Sequence, residues 1–390
     1  MNWKIFRILF FAIFSSVLGQ GIVVPLLPVY AQKLGATGIH IGLIFGAFSF
    51  SMSVVLPFIG RLSDRSGRKP FIIVGLFAYF AASVAFMFSS NVTALIVIRF
   101  LQGIAAAMIT PVAEAYIGDI TPRGKEGMVM GLMNVAYCGG LSAGPFIGGI
   151  AKDAFGMQAA FFIMGMICLC GFMMSSLLLP SRKEEKLIAK NTEPPRYRVI
   201  FQSRHITGLF LFRFAYSICL GIVWSFAPLI ADKEYGFSGT ATGMVIMLGV
   251  FVSAVIMTPM GHLADRFSKR MLMAAGGLVT FAAMFFFTRL HASWELYAVS
   301  ILVGVGNGVS MPPVMAMTVI LGRKNAAMGT IISLLILAES MGAVAGSVLG
   351  GSIVDIWNMK AAFGSGGAVM LLATLLGMYL TSDFRRLEKG

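Results

Sequence analysis

Charge is what this sequence has least of. Only 12% of its 390 residues are Asp, Glu, Lys or Arg, while 58% are hydrophobic. A water-soluble domain carries roughly 25% charged residues, so this chain has about half the charge that an aqueous surface needs. Acidic residues are the scarcer sign, 16 against 30 basic ones. Histidine occurs four times, at His40, His205, His262 and His291, all near expected helix ends or loops. Cysteine occurs four times, at Cys138, Cys168, Cys170 and Cys219, all within apolar runs. No CxxC pair or His cluster accompanies them, so neither a disulfide framework nor a metal site is expected. A Ser-His-Asp arrangement and a Gly-x-x-x-x-Gly-Lys-Ser/Thr loop for ATP are both missing. An enzyme reading therefore lacks its residues, and no cofactor is expected.

Apolar runs fill the space that charge leaves. Twelve stretches reach the ~20 residues a helix needs to cross a bilayer: 5–30, 39–60, 70–90, 93–119, 127–151, 159–180, 206–231, 240–261, 271–290, 294–321, 328–353 and 360–381. A single such stretch could be a buried soluble helix, but twelve together would leave no aqueous surface. An all-α polytopic membrane protein follows. The first run is too long for a signal peptide and lacks a small-x-small cleavage site, so no cleavable leader is expected. With both termini cytoplasmic, 23 of the 30 Lys and Arg residues fall in cytoplasmic segments. Five lie on the other side (Lys33, Lys152, Lys233, Arg289, Lys360) and two within spans (Arg99, Arg213). The positive-inside rule then orients the chain N-in and C-in across a cell (inner) membrane. The net charge of +14 is thus a topology signal and an attraction to anionic lipid headgroups, not a nucleic-acid surface.

One connection is long and polar, residues 181–205, with prolines at 194 and 195. It suits a solvated cytoplasmic linker between an N-terminal six-helix bundle (1–180) and a C-terminal one (206–390). The halves repeat at an offset of 200–201. "GIVVPLLPVYAQKLG" from Gly21 aligns with "GIVWSFAPLIADKEYG" from Gly221, pairing Pro28 with Pro228 and Lys33 with Lys233. Gly103 pairs with Gly304 and Pro111 with Pro312.

The most specific repeat is a charged turn between apolar runs: "GRLSDRSGRKP", Gly60 to Pro70, returns as "GHLADRFSKR", Gly261 to Arg270. This pair resembles the signature loop of the major facilitator superfamily. The resemblance implies two pseudo-symmetric six-helix bundles with a substrate site near the midplane between them. It also implies a conformational latch built from Gly60, Asp64, Arg65, Gly67, Arg68 and Asp119, with a second copy around Asp265 and Arg266. Asp64 would sit against the N-terminus of the eleventh helix, where a carboxylate complements the macrodipole and accepts orphan amide bonds. Arg68 would pair with Asp119. In the second copy Ser268 replaces the second glycine, which weakens that latch.

Two further motifs resemble those of the 12-helix drug:proton antiporters. "RFLQG", Arg99 to Gly103, matches the Arg-x-x-Gln-Gly of the fourth helix, where the arginine is tied to proton coupling or to backbone carbonyls. Gly140, Gly144, Pro145, Gly148 and Gly149 match the exporter motif of the fifth helix. Small residues four apart let backbones approach, and the proline removes a backbone bond and bends the helix; the alternative is a generic packing seam. Helix eleven keeps only the spacing, at Gly342, Gly346, Gly350 and Gly351. Intramembrane ionisable groups are functional by default, which makes Glu114, Glu339, Arg99 and Arg213 the proton-coupling candidates. Glu339 and Arg213 stand at similar depth and could instead be a structural ion pair. Asp153, Glu295 and Asp355 lie at span ends and read as solvated. Candidate cavity residues are Gln20, Met108, Asn134, Tyr137, Tyr216, Trp224, Phe226, Met247, Asn307 and Met311, since methionines and aromatics adapt to varied apolar ligands. The resulting expectation is a monomeric, proton-driven exporter of small amphipathic or cationic compounds, of the multidrug-efflux type, working by alternating access. A dedicated exporter or uniporter of a sugar, metabolite or lipid-like molecule is the alternative.

Overall fold

The computed structural model describes residues 3–122, 125–180, 203–324 and 328–384. Among them are twelve long helices: α1 (Trp3–Lys33), α2 (Gly38–Ser66), α3 (Lys69–Met87), α4 (Val92–Ile120), α5 (Glu126–Phe155) and α6 (Met157–Leu178), then α7 (Arg204–Lys233), α8 (Gly239–Arg266), α9 (Lys269–Phe287), α10 (Ser293–Lys324), α11 (Met328–Ile356) and α12 (Met359–Leu380). The fold is all-α, with two pseudo-symmetric six-helix bundles. Most of the linker, 181–202, lies outside the described residues.

Eleven of the helices are long and apolar enough to cross a membrane. The exception is α5, which was expected to be the fifth span. Its glycines, with Asn134, Tyr137 and Ser142, dilute its hydropathy, because its sequence is spent on close packing. Large apolar side chains on the outward faces, among them Phe58, Phe88, Leu177, Leu349 and Tyr379, are exposed. Apolar exposure on this scale is a liability in water and ordinary against lipid.

Residues group into two compact units. One falls within Met1–Ala36, Ala47–Asn191 and Asp232–Met247, the other within Thr37–Gly46, Thr192–Ala231 and Leu248–Gly390. The first turns of α2 and of α8 therefore cluster with the opposite half of the chain from the rest of their own helices. In the first unit α1 packs on α4, α5 and α6, and α3 packs on α4 and α6. In the second, α9 packs on α10 and α12, and α11 packs on α10 and α12. Helices α1 and α7 are buried along most of their length, which makes each a central post of its bundle.

Repetition extends to side chains. Phe86 stacks on Phe161 at 5.2 Å in the first unit, and Phe287 stacks on Phe363 at 4.4 Å in the second. Helices α1 and α7 are each followed within three residues by a left-handed glycine, Gly35 (φ 85°) and Gly236 (φ 62°), a conformation that side-chain-bearing residues enter at a cost. Helices α4 and α12 begin at asparagines. Asn91 Oδ1 accepts from the Ala94 N–H and Asn358 Oδ1 from the Ala361 N–H, each at 2.8 Å, satisfying a donor that no helical carbonyl can reach.

Candidate functional site

At the end of α2 the signature loop forms a compact charge cluster. Arg68 is buried to 7% exposure, and its Nη2 lies 3.1 Å from Asp64 Oδ1 and 3.0 Å from Asp119 Oδ2. One guanidinium thus ties the last turn of α2 to the last turn of α4. The turn that swings Arg68 back is made by Gly67 at φ 90°, a left-handed position favouring glycine. Gly60 faces open space, and Asp64 and Arg65 are exposed. The expected seat of Asp64, at the start of α11, involves residues 325–327 and the side chains of 323–330, which lie outside those described.

The second copy folds differently. Ser268, in the place of Gly67, takes φ −61° as the N-cap of α9. Lys269 replaces the arginine, and Val319 and Ile320 stand where Asp119 would be. Asp265 and Arg266 are exposed.

On α5, the glycines spaced by four turn inward onto α1 of the same unit. A Cβ at Gly140 would come within 2.8 Å of the Phe14 carbonyl; one at Gly144 would overlap the Leu18 carbonyl and reach 2.8 Å from Gly21 Cα. Gly148 faces Ile22. The Pro145 ring also faces α1, its Cδ 2.9 Å from a Cβ at Gly21, while its carbonyl faces α8, where a Cβ at Gly243 would overlap it; Gly149 points to α8 alone, since a Cβ there would overlap the Gly239 carbonyl. Helix α11 repeats the plan against α7, with Gly342 facing the Phe214 carbonyl and Gly346 the Ile218 carbonyl, although it has no proline.

Arg99 is buried at 2% exposure. Its Nη1 donates to Gln102 Oε1 at 2.9 Å, and its guanidinium carbon lies 4.6 Å from the centre of the Phe48 ring on α2. Gly103 allows this approach, since a Cβ there would overlap the Phe48 carbonyl. In the second unit Arg213 on α7 meets Glu339 on α11, with Nη2 to Oε2 at 2.6 Å. The arginine is 10% exposed and the glutamate 48%, and the guanidinium lies 5.8 Å from the Tyr216 ring. Glu114 is an exposed side chain on α4.

The cavity candidates separate by burial. Tyr216 and Phe226 are 2% and 0% exposed; Phe226 fills the space beside Gly350 and is a packing residue. Asn307 Nδ2 donates to Ser253 Oγ of α8 at 2.7 Å, while its Oδ1 is buried without a hydrogen-bond partner. Gln20, Met108, Tyr137, Trp224, Met247 and Met311 are half-buried, and Asn134 is exposed.

Two carboxylates read as solvated are exposed, and they also cap other helices. Asp153, in the last turn of α5, accepts from the backbone N–H groups of Gly239 and Thr240, both at 2.7 Å, and from Thr240 Oγ1 at 2.7 Å. Asp355, in the last turn of α11, accepts from the N–H groups of Gly38 at 2.6 Å and Ile39 at 2.8 Å. Glu295 also caps, with Oε2 receiving the His291 N–H at 2.7 Å at the start of its own helix. The sequence does hold a signal for the first two: Gly149 and Gly351 each precede an aspartate by four residues, at an offset of 202.

The Major Facilitator Superfamily profile matches residues 9–221 and again 209–389, once over each half. The chain belongs to this superfamily. It is a membrane transporter, not an enzyme. Over 353 residues the transporter is 29% identical to an uncharacterized MFS-type transporter of Methanocaldococcus jannaschii, covering 89% of this chain and 91% of the relative. It is 28% identical to Multidrug resistance protein 1 of Bacillus subtilis over 351 residues, 88% of each chain. To the Quinolone resistance protein NorA of Staphylococcus aureus it is 26% identical over 362 residues, 91% of each. Among solved structures, a bacterial homologue of the human lysosomal transporter Spinster superimposes with a TM-score of 0.78 at 13% identity, covering 100% of this chain and 98% of that one. The human organic anion transporter MFSD10 gives a TM-score of 0.66 at 17% identity, covering 96% and 99%. These last two similarities establish the fold alone.

Proposed function

We propose that this transporter is a proton-coupled exporter of small amphipathic or cationic compounds. It works by alternating access as a monomer in the cell membrane, with both termini cytoplasmic. Support for efflux comes from the relatives named for multidrug and quinolone resistance, which align over both halves. The observation that carries the coupling is the Arg213–Glu339 pair: a half-exposed carboxylate within a span, held by a buried guanidinium on another helix. A proton or a cationic compound arriving at Glu339 competes with Arg213 for the same oxygen. Binding and ion-pair rupture are then one event, which is the elementary requirement of coupling.

Proteoliposomes carrying a pH-sensitive dye test this with a panel of lipophilic cations. Glu339→Gln is expected to abolish gradient-driven accumulation while sparing downhill exchange, and Glu114→Gln shows whether α4 contributes. Transport that keeps its pH dependence in both variants would leave a uniporter as the better reading.

The signature loop supplies a separate expectation. Removing a carboxylate at a helix terminus costs up to about 2 kcal/mol, at most roughly a thirtyfold change in a conformational equilibrium. Asp64→Asn and Arg68→Ala should therefore lower turnover about tenfold at matched insertion, with little change in melting temperature. Full turnover in both would remove the latch from the mechanism.

A further inference from the structure

The two copies of the charged turn differ in what their cations do. In the first, the pair at the head of α3 is committed to acceptors within the protein: Arg68 to Asp64 and Asp119, and Lys69 Nζ to the Leu179 carbonyl at 2.5 Å. In the second, between α8 and α9, the side chains of Arg266 and Arg270 make no ion pair or hydrogen bond among the described residues, and the Nε of Arg270 is buried without a partner. Asp265 in the same turn is exposed. Lys269 and Arg270 stand in the first turn of α9, which holds no acidic residue, at the end of a helix where positive charge is disfavoured by the macrodipole. An anion is what this turn is missing.

Apolar side chains appear at the same turn. Phe267 stands where the first copy has Ser66, and Met271 where it has Pro70; they are 61% and 68% exposed. Met271 also begins the outer stripe of α9, since Met271, Ala275, Leu278 and Phe285 are all exposed at spacings that share one helix face. From Met271 to Phe285 the stripe runs about 21 Å at ~1.5 Å per residue. That exceeds the ~15 Å hydrocarbon depth of one leaflet, half of a ~30 Å core. A soluble anion would answer the arginines and leave this stripe unused. A molecule with an anionic head and an apolar tail answers both.

We infer that the turn between α8 and α9 binds one anionic phospholipid. Arg266 and Arg270 hold its phosphate, to which guanidinium groups are matched in charge and geometry. Phe267 lies at the boundary of headgroup and acyl chain, where apolar side chains of basic segments bury themselves, and one acyl chain follows the outer stripe of α9. The first turn, its arginine already spent on two carboxylates, has no such role.

Native mass spectrometry of the full chain in detergent tests this without reference to substrate or to the direction of transport. The protein is titrated with dioleoyl phosphatidylglycerol or dioleoyl phosphatidylcholine, and the affinity of the first bound lipid is read. A cation near an anionic headgroup contributes roughly a fivefold factor, so R266Q/R270Q should weaken phosphatidylglycerol binding about 25-fold while leaving phosphatidylcholine binding unchanged. F267S/M271S should weaken both lipids, and R61Q/R65Q, which removes the same charge from the first turn, should weaken neither. An equal loss in R61Q/R65Q would mean that phosphatidylglycerol answers only a generally basic face, and the inference fails. It fails also if glycerol 3-phosphate displaces the lipid at equal concentration, which marks a soluble-anion site. A dimer in place of lipid adducts, lost in F267S/M271S, would make a second copy the occupant and overturn the lipid. Should R266Q/R270Q not purify, R270Q alone is read against the same two lipids, with a loss of roughly fivefold expected.

Discussion

Gly144→Leu is expected to cost most of the folded protein. Overpacking a tight core typically costs 1–3 kcal/mol, occasionally more, and the neighbours of Gly144 place it at the upper end. The obstacle is the backbone of α1, the Leu18 carbonyl and Gly21 Cα, which cannot rotate aside as a side chain can. A leucine must separate α1 from α5, and α1 is the buried post of its unit. Gly148→Leu should be milder, because its nearest atom is the Ile22 Cγ2 methyl at 3.0 Å, which can shift. Gly139→Ala is the control, since its nearest neighbour is a Phe14 ring atom at 3.9 Å. Thermal unfolding in detergent should therefore rank the variants Gly144→Leu, Gly148→Leu, Gly139→Ala from least to most stable. An equal effect at 144 and 139 would show that the α1–α5 crossing is not what these glycines serve.

The second large effect is asymmetric. Glu339→Ala leaves a guanidinium that is only 10% exposed without its carboxylate. Breaking a buried pair from one side costs about 3–5 kcal/mol. Arg213→Ala strands a carboxylate that is 48% exposed, and an exposed partner loses far less, about 1 kcal/mol or under. Melting temperature should fall more for Glu339→Ala than for Arg213→Ala, and the double Arg213→Ala/Glu339→Ala variant should recover part of the loss. Equal losses in the two single variants would mean that burial does not govern the pair. Transport separates from stability here: a coupling role predicts that the recovered double variant still cannot use a proton gradient.

Most of the architecture was legible in the sequence because it is written in composition and repetition. Span-length apolar runs, a duplicated charged turn and glycines in register all survive reading one residue at a time. Contacts that depend on which face a residue takes did not. Gly140, Gly144 and Gly148 look alike in sequence to Gly149, yet three face α1 and one faces α8, because neighbouring positions on a helix point about 100° apart. Phe226 reads as a pliable cavity aromatic and is a filler beside Gly350. Asp153 and Asp355 sit at span ends, where a carboxylate is ordinarily solvated; only the three-dimensional approach of another helix's free amides makes them caps.

Because the opening turns of α2 and α8 are lodged with the opposite half, neither half of this chain is self-sufficient. Cut within the 181–205 linker and produced as two pieces, each fragment would carry an unclothed glycine surface and an aspartate with no amides to receive. The pieces should then be poor solitary membrane proteins and good partners for each other. Co-expression would rescue both, and the gene duplication that made two similar halves would have left them mutually dependent.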